Sequence, residues 1–320
     1  MVHIMQQNVP EEDDSPEVDE VGKKVCWQMI GELQWAVTLG RIDIMHAVQT
    51  LSRYRPLPRE GHLKACKRIY QYLRNYKKTG IKFNVEEPDY TDYPILKMNW
   101  GGAYGDVKED VPRNAPAPKG KPCVTTSFVD ANLMACRVTG RSRTGIIHML
   151  NKTPIDWFCK LQSTVETATY GSEFVAARIC VDHIVEIRTC LRLLGVPIKG
   201  PSYMFGDNLA VVNSSTLPSG RLQKRHNILN YHRVREAQAA GFVQFCHMDG
   251  KNNPADVLTK ARSSREWFPL LKPLLFWRIR DGSEGSHTVG EEHKVPGLAG
   301  SDQSSRKINP TIKMIMAKKH

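Results

Sequence analysis

The chain has 320 residues, 41% of them hydrophobic and 24% charged, which is enough to bury one good core and a smaller one beside it. No apolar run reaches the roughly 18 to 20 residues that a membrane span needs, and the first residues are acidic where a signal peptide would be basic and then apolar. These features exclude a membrane protein and predict a soluble intracellular one, while the net charge of +12 indicates a polyanionic partner.

The eight cysteines form no CxxC pair and have no histidine partner at zinc-finger spacing. Cysteines scattered in this way are typical of small core residues in a reducing compartment. We therefore expect no zinc site in this protein.

The first part of the chain changes from charge to helical periodicity. Residues 1–22 are acidic and lack apolar periodicity, which predicts a disordered head. From near Val25, three stretches with helical spacing predict a small helical unit over residues 23–83, and lysines and arginines cover the outer surface of the third stretch. The apolar positions are Met29, Ile30, Leu33, Ala36 and Val37, then Ile44, Val48 and Leu51, then Leu63, Cys66, Ile69 and Leu73.

Residues 84–122 are rich in proline, glycine and charge, which predicts a linker or insertion. From Cys123 the runs "VTTSFVDA", "TGIIHML" and "IDWFCK" predict an antiparallel meander. A long helix is expected from about Val165 to Leu194, followed by the strand "SYMFGDN", a helix around "NYHRVREAQAAG", the strand "FVQFCHM" and a helix at "NNPADVLTKA". This order predicts an α/β fold, with a mixed sheet and helices packed on it.

Glu173 is the clearest anomaly of the long helix. It shares the apolar stripe of Ala177, Cys180, Ile184, Ile187 and Leu191. Burial of an unpaired carboxylate is costly, so Glu173 needs a cation, a donor or a proton, unless it lies close enough to the helix start to reach solvent. Glu166, one heptad earlier, is a competing candidate, although a place in the first turn would let the helix dipole explain it.

Three aspartates have similar positions, and each has a structural alternative. Asp207 ends the strand in "FGDN", where an acid can also begin a turn. Asp130 interrupts an apolar strand, which is disfavoured except at an edge or a site. Asp256 lies just inside a helix, where the dipole stabilises an acid. With Glu173 they would form an oxygen-lined pocket for divalent ions, and two ions about 4 Å apart suit in-line attack on a phosphodiester.

Five segments together resemble the ribonuclease H domain of copia-type LTR retrotransposon Pol polyproteins, in that family's order and spacing. They are "FVDANLMACRVTGRSRTG", "PIDWFCKLQSTVETATYGSEFVAAR", "GDNLAVV", "KRHNILNYHRVRE" and "NPADVLTK". The resemblance implies an RNase H-like domain over residues 123–265, with a mixed five-stranded sheet flanked by helices. It also implies two Mg²⁺ ions, for which Mn²⁺ can substitute, and hydrolysis of the RNA strand of RNA–DNA hybrids. The catalytic metal ligands that it implies are Asp130, Glu173, Asp207 and Asp256.

The helical unit resembles the end of the same family's reverse transcriptase, between the polymerase palm and the RNase H domain. The sequence lacks the paired aspartates of the polymerase in their catalytic context. We therefore expect this chain to have no polymerase activity by itself. We expect the missing polymerase portion to be one of its partners. Asn132 and Leu133 stand where many relatives have Asp and Trp, which leaves the ligand at Asp130 unaffected. Glu173 falls between Asp130 and Asp207, and this order favours an RNase H over an integrase, which shares the fold.

The nucleic acid should be recognised by its A-like shape and its 2′-hydroxyl groups. The residues that we expect to contact its backbone are Arg141, Lys160, Asn208 and Arg225. His247 stands near a position that assists product release in related nucleases, although a strand histidine is also commonly a packed one. His226 and His232 match family positions without a defined task.

The C-terminal part divides in two. Residues 266–280 carry many large apolar side chains and should dock on the RNase H domain or on a missing partner, whereas residues 281–320 lack apolar periodicity and predict a disordered basic tail. A second hypothesis treats the chain as a truncated, catalytically silent retroelement remnant that only binds nucleic acid. We expect an intracellular location, in the cytoplasm or in a virus-like particle, with the nucleus as an alternative.

Overall fold

The computed structural model describes residues 13–222 and 224–277, so the predicted tail at 281–320 and most of the acidic head lie outside the described residues. The helices are α1 (Glu20–Thr38), α2 (Met45–Leu51), α3 (Glu60–Asn75), α4 (Thr169–Leu193), α5 (Leu209–Thr216), α6 (Ile228–Ala239), α7 (Asp256–Thr259) and α8 (Ser264–Leu271). The strands are β1 (Gly80–Ile81), β2 (Thr125–Asn132), β3 (Arg143–Leu150), β4 (Thr153–Leu161), β5 (Ser202–Gly206), β6 (Val243–His247) and β7 (Leu275–Phe276).

The centre of the molecule is a mixed five-stranded sheet in the order β4-β3-β2-β5-β6. Strands β2, β3 and β4 form the predicted antiparallel meander, and β5 and β6 run parallel to β2. The register between β3 and β4 shifts after His148. With helices on both faces of the sheet and a helical unit before it, the predicted fold class is confirmed.

The two faces of the sheet are covered by different parts of the chain. Val129, Ile146 and Met204 face α4, α5 and α6 in one apolar core. Phe128 and Phe205 point the other way and join the helical unit and the C-terminal helices in a second core. Side chains alternate between the faces of a strand, so the pattern of β2 follows directly from its sequence. The helical unit and the sheet therefore share a core.

The helical unit begins earlier than the sequence predicts. The Asp19 carboxylate accepts a hydrogen bond from the Gly22 amide at 2.7 Å and caps α1, which starts at Glu20 rather than near Val25. Arg59 donates to the Ser15 carbonyl at 2.6 Å. The prediction of a disordered head is thus wrong for residues 13–22, because a helix cap and a side-chain hydrogen bond hold them.

The segment at residues 84–122, called the strap below, contains neither helix nor strand, yet it packs against the sheet and α4. Tyr90 and Tyr93 contact the Phe205 ring, with centroids 5.3 and 4.9 Å away. Further along, Glu109 forms ion pairs with Arg188 and Arg192, each at 2.6 Å. Burial alone would raise the pKa of Glu109, but its hydrogen bonds with the two arginines outweigh burial and lower it. Aromatic contacts and ion pairs therefore hold the strap against the domain.

The C-terminal apolar segment docks on the core that the helical unit shares with the sheet. Trp267, Leu271 and Leu274 are buried in it. Strand β7 then pairs antiparallel with β1, with Leu275 opposite Ile81. Among the described residues, no helix is long and apolar enough to cross a membrane.

Candidate functional site

Three of the four predicted acids meet at one end of the central strands. Asp130 lies near the end of β2, Asp207 follows β5 directly, and Glu173 lies in the second turn of α4. Because β2 and β5 are adjacent and parallel, with Phe128 opposite Phe205, both aspartates reach the same edge of the sheet. One carboxylate oxygen from each of the three residues lies within 4.8 Å of the others. We call this group the carboxylate cluster.

Burial and mutual repulsion disfavour the charged forms of the carboxylate cluster. Burial raises the pKa of Glu173 well above its ordinary value, and the neighbouring Asp130 and Asp207 add to the shift. Burial also raises the pKa of Asp130 to about 6, although Lys260 opposes this change. The pKa of Asp207 is raised as well, chiefly by burial. Glu173 is 8% exposed, so the alternative that it escapes to solvent is wrong.

Asp256, the fourth predicted acid, stands beside the carboxylate cluster and is paired with cations. Its carboxylate forms close ion pairs with Lys260 and Arg262. The Lys260 ammonium also lies 3.6 Å from the Asp130 carboxylate, which accepts a hydrogen bond from the Thr259 hydroxyl. Lys260 thus carries a positive charge between two acids that would otherwise repel each other.

The short helix α7 is held against the sheet by two residues. The Asn253 side-chain amide donates to the Val129 carbonyl at 2.8 Å, and its oxygen accepts from the Ala255 amide at 3.0 Å. Opposite Asp130 in the ladder is Gly145, where an added Cβ would lie 2.7 Å from the Thr259 methyl group. A side chain at Gly145 would therefore push α7 away from Asp130.

Sequence reasoning missed Thr259, Lys260 and Asn253 as parts of this site. One signal for Lys260 was available, since Asp256 and Lys260 are four residues apart in "DVLTK", a spacing at which helical side chains meet. The contacts of Asn253 and Thr259 with β2 depend on the tertiary fold, which local spacing does not show.

Glu166 does not lie in the first helical turn as predicted, because α4 begins only at Thr169. Its buried carboxylate contacts the His226 ring at 2.9 Å and accepts a hydrogen bond from the Asn227 amide at 3.2 Å. These contacts give His226 a partner and tie the start of α4 to the turn before α6. They explain the burial of Glu166 without a role in metal binding.

The four residues predicted to contact nucleic acid lie at or near the surface. Arg141, Lys160 and Arg225 are exposed, while Asn208 is half-buried and its side-chain oxygen caps α5. Lys160 pairs with Thr144, which in turn pairs with Ala131 of β2. Two strand spacings place Lys160 roughly 10 Å from the strand that carries Asp130. Their part in substrate binding stays a prediction.

Two of the histidines with open roles have specific contacts. The His247 ring nitrogen Nε2 lies 2.9 Å from the Asp207 carbonyl oxygen, at the end of β6. His232 contacts the Tyr104 hydroxyl of the strap at 2.6 Å. His247 therefore supports the backbone that carries Asp207, whereas His232 helps to hold the strap.

Comparisons with known proteins point to retroelement polyproteins. The chain is similar to the retrovirus-related Pol polyprotein from transposon TNT 1-94 of Nicotiana tabacum, at 25% identity over 246 residues, which cover 77% of this chain and 16% of that protein. It is also similar to the retrovirus-related Pol polyprotein from transposon RE1 of Arabidopsis thaliana, at 25% identity over 73% of this chain and 14% of that protein. The chain thus spans about one-sixth of the length of these curated relatives. No family model matches it.

Among solved structures, the chain is similar to LC11-RNase H1 in complex with an RNA/DNA hybrid. The sequence identity is 11% and the TM-score 0.33, with 42% of this chain and 92% of that chain covered.

Proposed function

We propose that this chain is the ribonuclease H portion of a retroelement Pol polyprotein and that it hydrolyses the RNA strand of RNA–DNA hybrids. The observation that carries the proposal is the carboxylate cluster, in which three acids from separate elements meet at one edge of the sheet. The similarity to Pol polyproteins from plant transposons supports it. No role in folding alone explains why two buried acids and a half-buried one should share one location.

The donor set fits divalent metal ions. Asp130, Glu173 and Asp207 offer only oxygen atoms, which Mg²⁺ and Mn²⁺ prefer. Burial and the neighbouring acids raise the pKa values of all three residues despite the nearby Lys260, so a further cation would favour their ionised forms. We expect these residues to hold the ions, with Asp256 as the fourth ligand once its carboxylate exchanges Lys260 and Arg262 for metal.

The chemistry that two bound ions supply is activation of an attacking water and stabilisation of the leaving 3′ oxygen. The protein's own contribution is position and charge. Asn253 and Gly145 keep α7 close to Asp130, and His247 supports the backbone at Asp207. Lys260 balances the acids and lies where it can also meet the anionic backbone of a substrate.

The substrate-binding surface should rely on charge and shape. Arg141, Lys160 and Arg225 are exposed cations, and Asn208 begins α5 directly after Asp207. Binding should therefore weaken as salt is added. For each phosphate that such groups neutralise, log affinity should fall by roughly 0.7 to 0.9 for every log unit of added salt. Contacts of this type select the hybrid by its geometry and do not read its bases.

The test is cleavage of an end-labelled RNA–DNA hybrid by the full chain with Mg²⁺, compared with duplex DNA and duplex RNA of the same sequence. We expect Mg²⁺-dependent cuts in the RNA strand of the hybrid only. The double variant Asp130→Asn with Asp207→Asn should reduce cleavage to background while circular dichroism stays native. Cleavage by that variant at the wild-type rate would overturn the proposal.

A second candidate function is nucleic-acid binding without catalysis. The specific observation that favours it is the pairing of Asp256 with Lys260 and Arg262, which offers a stable arrangement for a chain that does not take up metal. In that case hybrid binding would fall steeply with salt, would not depend on Mg²⁺, and would proceed without cleavage. Turnover of the hybrid in the assay above rejects this alternative.

A further inference from the structure

A second group of possible metal ligands lies under α4, away from the carboxylate cluster. His148 comes from β3, Asp156 from β4 and His183 from α4. One ligand atom from each of these residues lies within 4.8 Å of the others. We call this group the histidine cluster. It combines two imidazole nitrogens with one carboxylate, whereas the carboxylate cluster offers oxygen atoms alone.

His148 is the buried member of the group, with a side chain that is only 2% exposed. Its Nδ1 atom lies 2.7 Å from the Ser127 hydroxyl, while its Nε2 atom has no hydrogen-bond partner among the described residues. That Nε2 atom points to the Asp156 carboxylate at 4.0 Å, too far for a hydrogen bond. Leaving a buried polar atom without a partner costs about 1 to 3 kcal/mol of folding free energy. We therefore expect Nε2 of His148 to bind a group that Asp156 and His183 can contact as well.

The other two members make the site accessible. The His183 ring nitrogen Nδ1 also lies 4.0 Å from the Asp156 carboxylate, and the two side chains are 24% and 51% exposed. The Phe158 ring packs edge-on against His183 with centroids 4.9 Å apart, which fixes the orientation of the imidazole. An ion could therefore enter from the solvent side and reach the buried Nε2 atom of His148.

We propose that His148, Asp156 and His183 bind a transition-metal ion of the Zn²⁺ class, with solvent in the fourth position. Two histidines and one carboxylate are a donor set that tetrahedral Zn²⁺ accepts, and ligand atoms around such an ion lie about 3.3 Å apart. One Asp156 carboxylate oxygen lies 4.0 Å from both imidazole nitrogens, so each of these separations has to shorten by about 0.7 Å to reach this value. The Ser127 hydroxyl can accept from Nδ1 of His148 and so leave the Nε2 lone pair free for the metal, as outer partners of metal-binding histidines do.

The proposed ion would join β3, β4 and α4. The existence of this metal site does not depend on the proposed ribonuclease function. His183 lies ten residues beyond Glu173 on α4, which is about 15 Å along the helix axis. A bound ion would thus fasten the helix that carries one acid of the carboxylate cluster to the edge strand β4 and its neighbour β3.

The test is a calorimetric titration of the metal-free full chain with Zn²⁺, carried out in excess Mg²⁺ to occupy the carboxylate cluster. Since His148 is buried, the variants alter the two more exposed ligands, as His183→Gln and Asp156→Asn. Wild-type protein should bind one equivalent of Zn²⁺ more than His183→Gln, and Asp156→Asn should bind it at least tenfold more weakly. His232→Gln, which removes an exposed histidine outside the cluster, should bind as wild type.

Two further measurements identify the ligands. Co²⁺ in place of Zn²⁺ should give the intense visible absorption of a tetrahedral site, and His183→Gln should abolish it. Ser127→Ala should weaken Zn²⁺ binding by roughly tenfold, the usual effect of losing an outer partner. Absence of Zn²⁺ binding by wild-type protein, equal binding by His183→Gln, or a cysteine–Co²⁺ charge-transfer band in place of nitrogen ligation would overturn the proposal.

Discussion

The carboxylate cluster and the histidine cluster lie on the same sheet and share α4, but they differ in how the fold treats their charges. The carboxylate cluster gathers three like charges and relies on Lys260 to compensate them. In the histidine cluster, two imidazole nitrogens face a single carboxylate that is half exposed. Burial and mutual repulsion disfavour the charged forms of the first group despite Lys260, whereas the second lacks only a hydrogen-bond partner at one buried atom among the described residues.

This difference separates two kinds of metal dependence. Hard ions such as Mg²⁺ should relieve the repulsion among the acids and so change stability together with any activity. An ion bound by histidines should instead join structural elements without changing the charge balance at the carboxylate cluster. The three predictions below test whether the two clusters behave independently.

The largest expected effect is a pH dependence of the metal-free protein that arises from Asp130. Its pKa is raised to about 6 by burial, against about 3.9 in an unfolded chain. The folded state therefore binds the proton more tightly than the unfolded state does. The protonated Asp130 carboxyl group contributes its full stabilisation below about pH 4, and this contribution is lost as the pH rises through 6. We expect a loss on the order of 3 kcal/mol in the free energy of unfolding.

Urea unfolding of wild-type protein and of Asp130→Asn in EDTA, between pH 4 and pH 7, isolates this contribution. The stability of the wild type relative to Asp130→Asn should fall across that range, and saturating Mg²⁺ should reduce the fall. A constant difference between the two proteins would show that Asp130 titrates normally.

A smaller effect is expected from Lys260→Met. Loss of the ammonium leaves Asp130 and Asp256 without a shared cation, but Lys260 is about one-third exposed, so solvent reduces the cost to about 1 kcal/mol in the metal-free protein. Mg²⁺ affinity should rise at the same time, since a competing cation has been removed. Urea unfolding and a Mg²⁺ titration measure both quantities, with Lys260→Arg as the charge-retaining control. Weaker Mg²⁺ binding by Lys260→Met would contradict this account.

The smallest expected effect concerns independence of the clusters. Mg²⁺ should raise the melting temperature of wild-type protein by binding the folded state, and Asp130→Asn should lose most of that increase. His183→Gln should retain it, because His183 contributes nothing to the carboxylate cluster. A clearly smaller Mg²⁺ response in His183→Gln would mean that α4 couples the two clusters.

The carboxylate cluster could be predicted from sequence because two of its acids break a local rule. Glu173 lies on an apolar helical stripe, and Asp130 interrupts an apolar strand. Asp256, in contrast, follows a local rule, since an acid is stabilised at the start of a helix, and its carboxylate is paired with Lys260 and Arg262. Strong periodicity likewise predicted the meander and the long helices, whereas the position of Glu166 was wrong because the exact start of a helix depends on local caps and contacts.

The histidine cluster and the strap could not be predicted in the same way. The ligands of the histidine cluster come from three elements, and the contact of His148 with Asp156 depends on the pairing of β3 with β4 beside a register shift. Zinc motifs with short spacing do not cover such an arrangement. The composition of the strap is typical of a linker, and only the position of Phe205 on the sheet shows why Tyr90 and Tyr93 pack there.

The pairing of β1 with β7 has a consequence for synthesis. Ile81 and Leu275 lie 194 positions apart, so the helical unit cannot complete its core until the end of the described chain has left the ribosome. At typical translation rates this takes roughly ten to forty seconds. During that time the apolar surface that later receives Trp267 and Leu274 stays uncovered. A nascent chain of this protein should therefore be a client of ribosome-associated chaperones until β7 emerges.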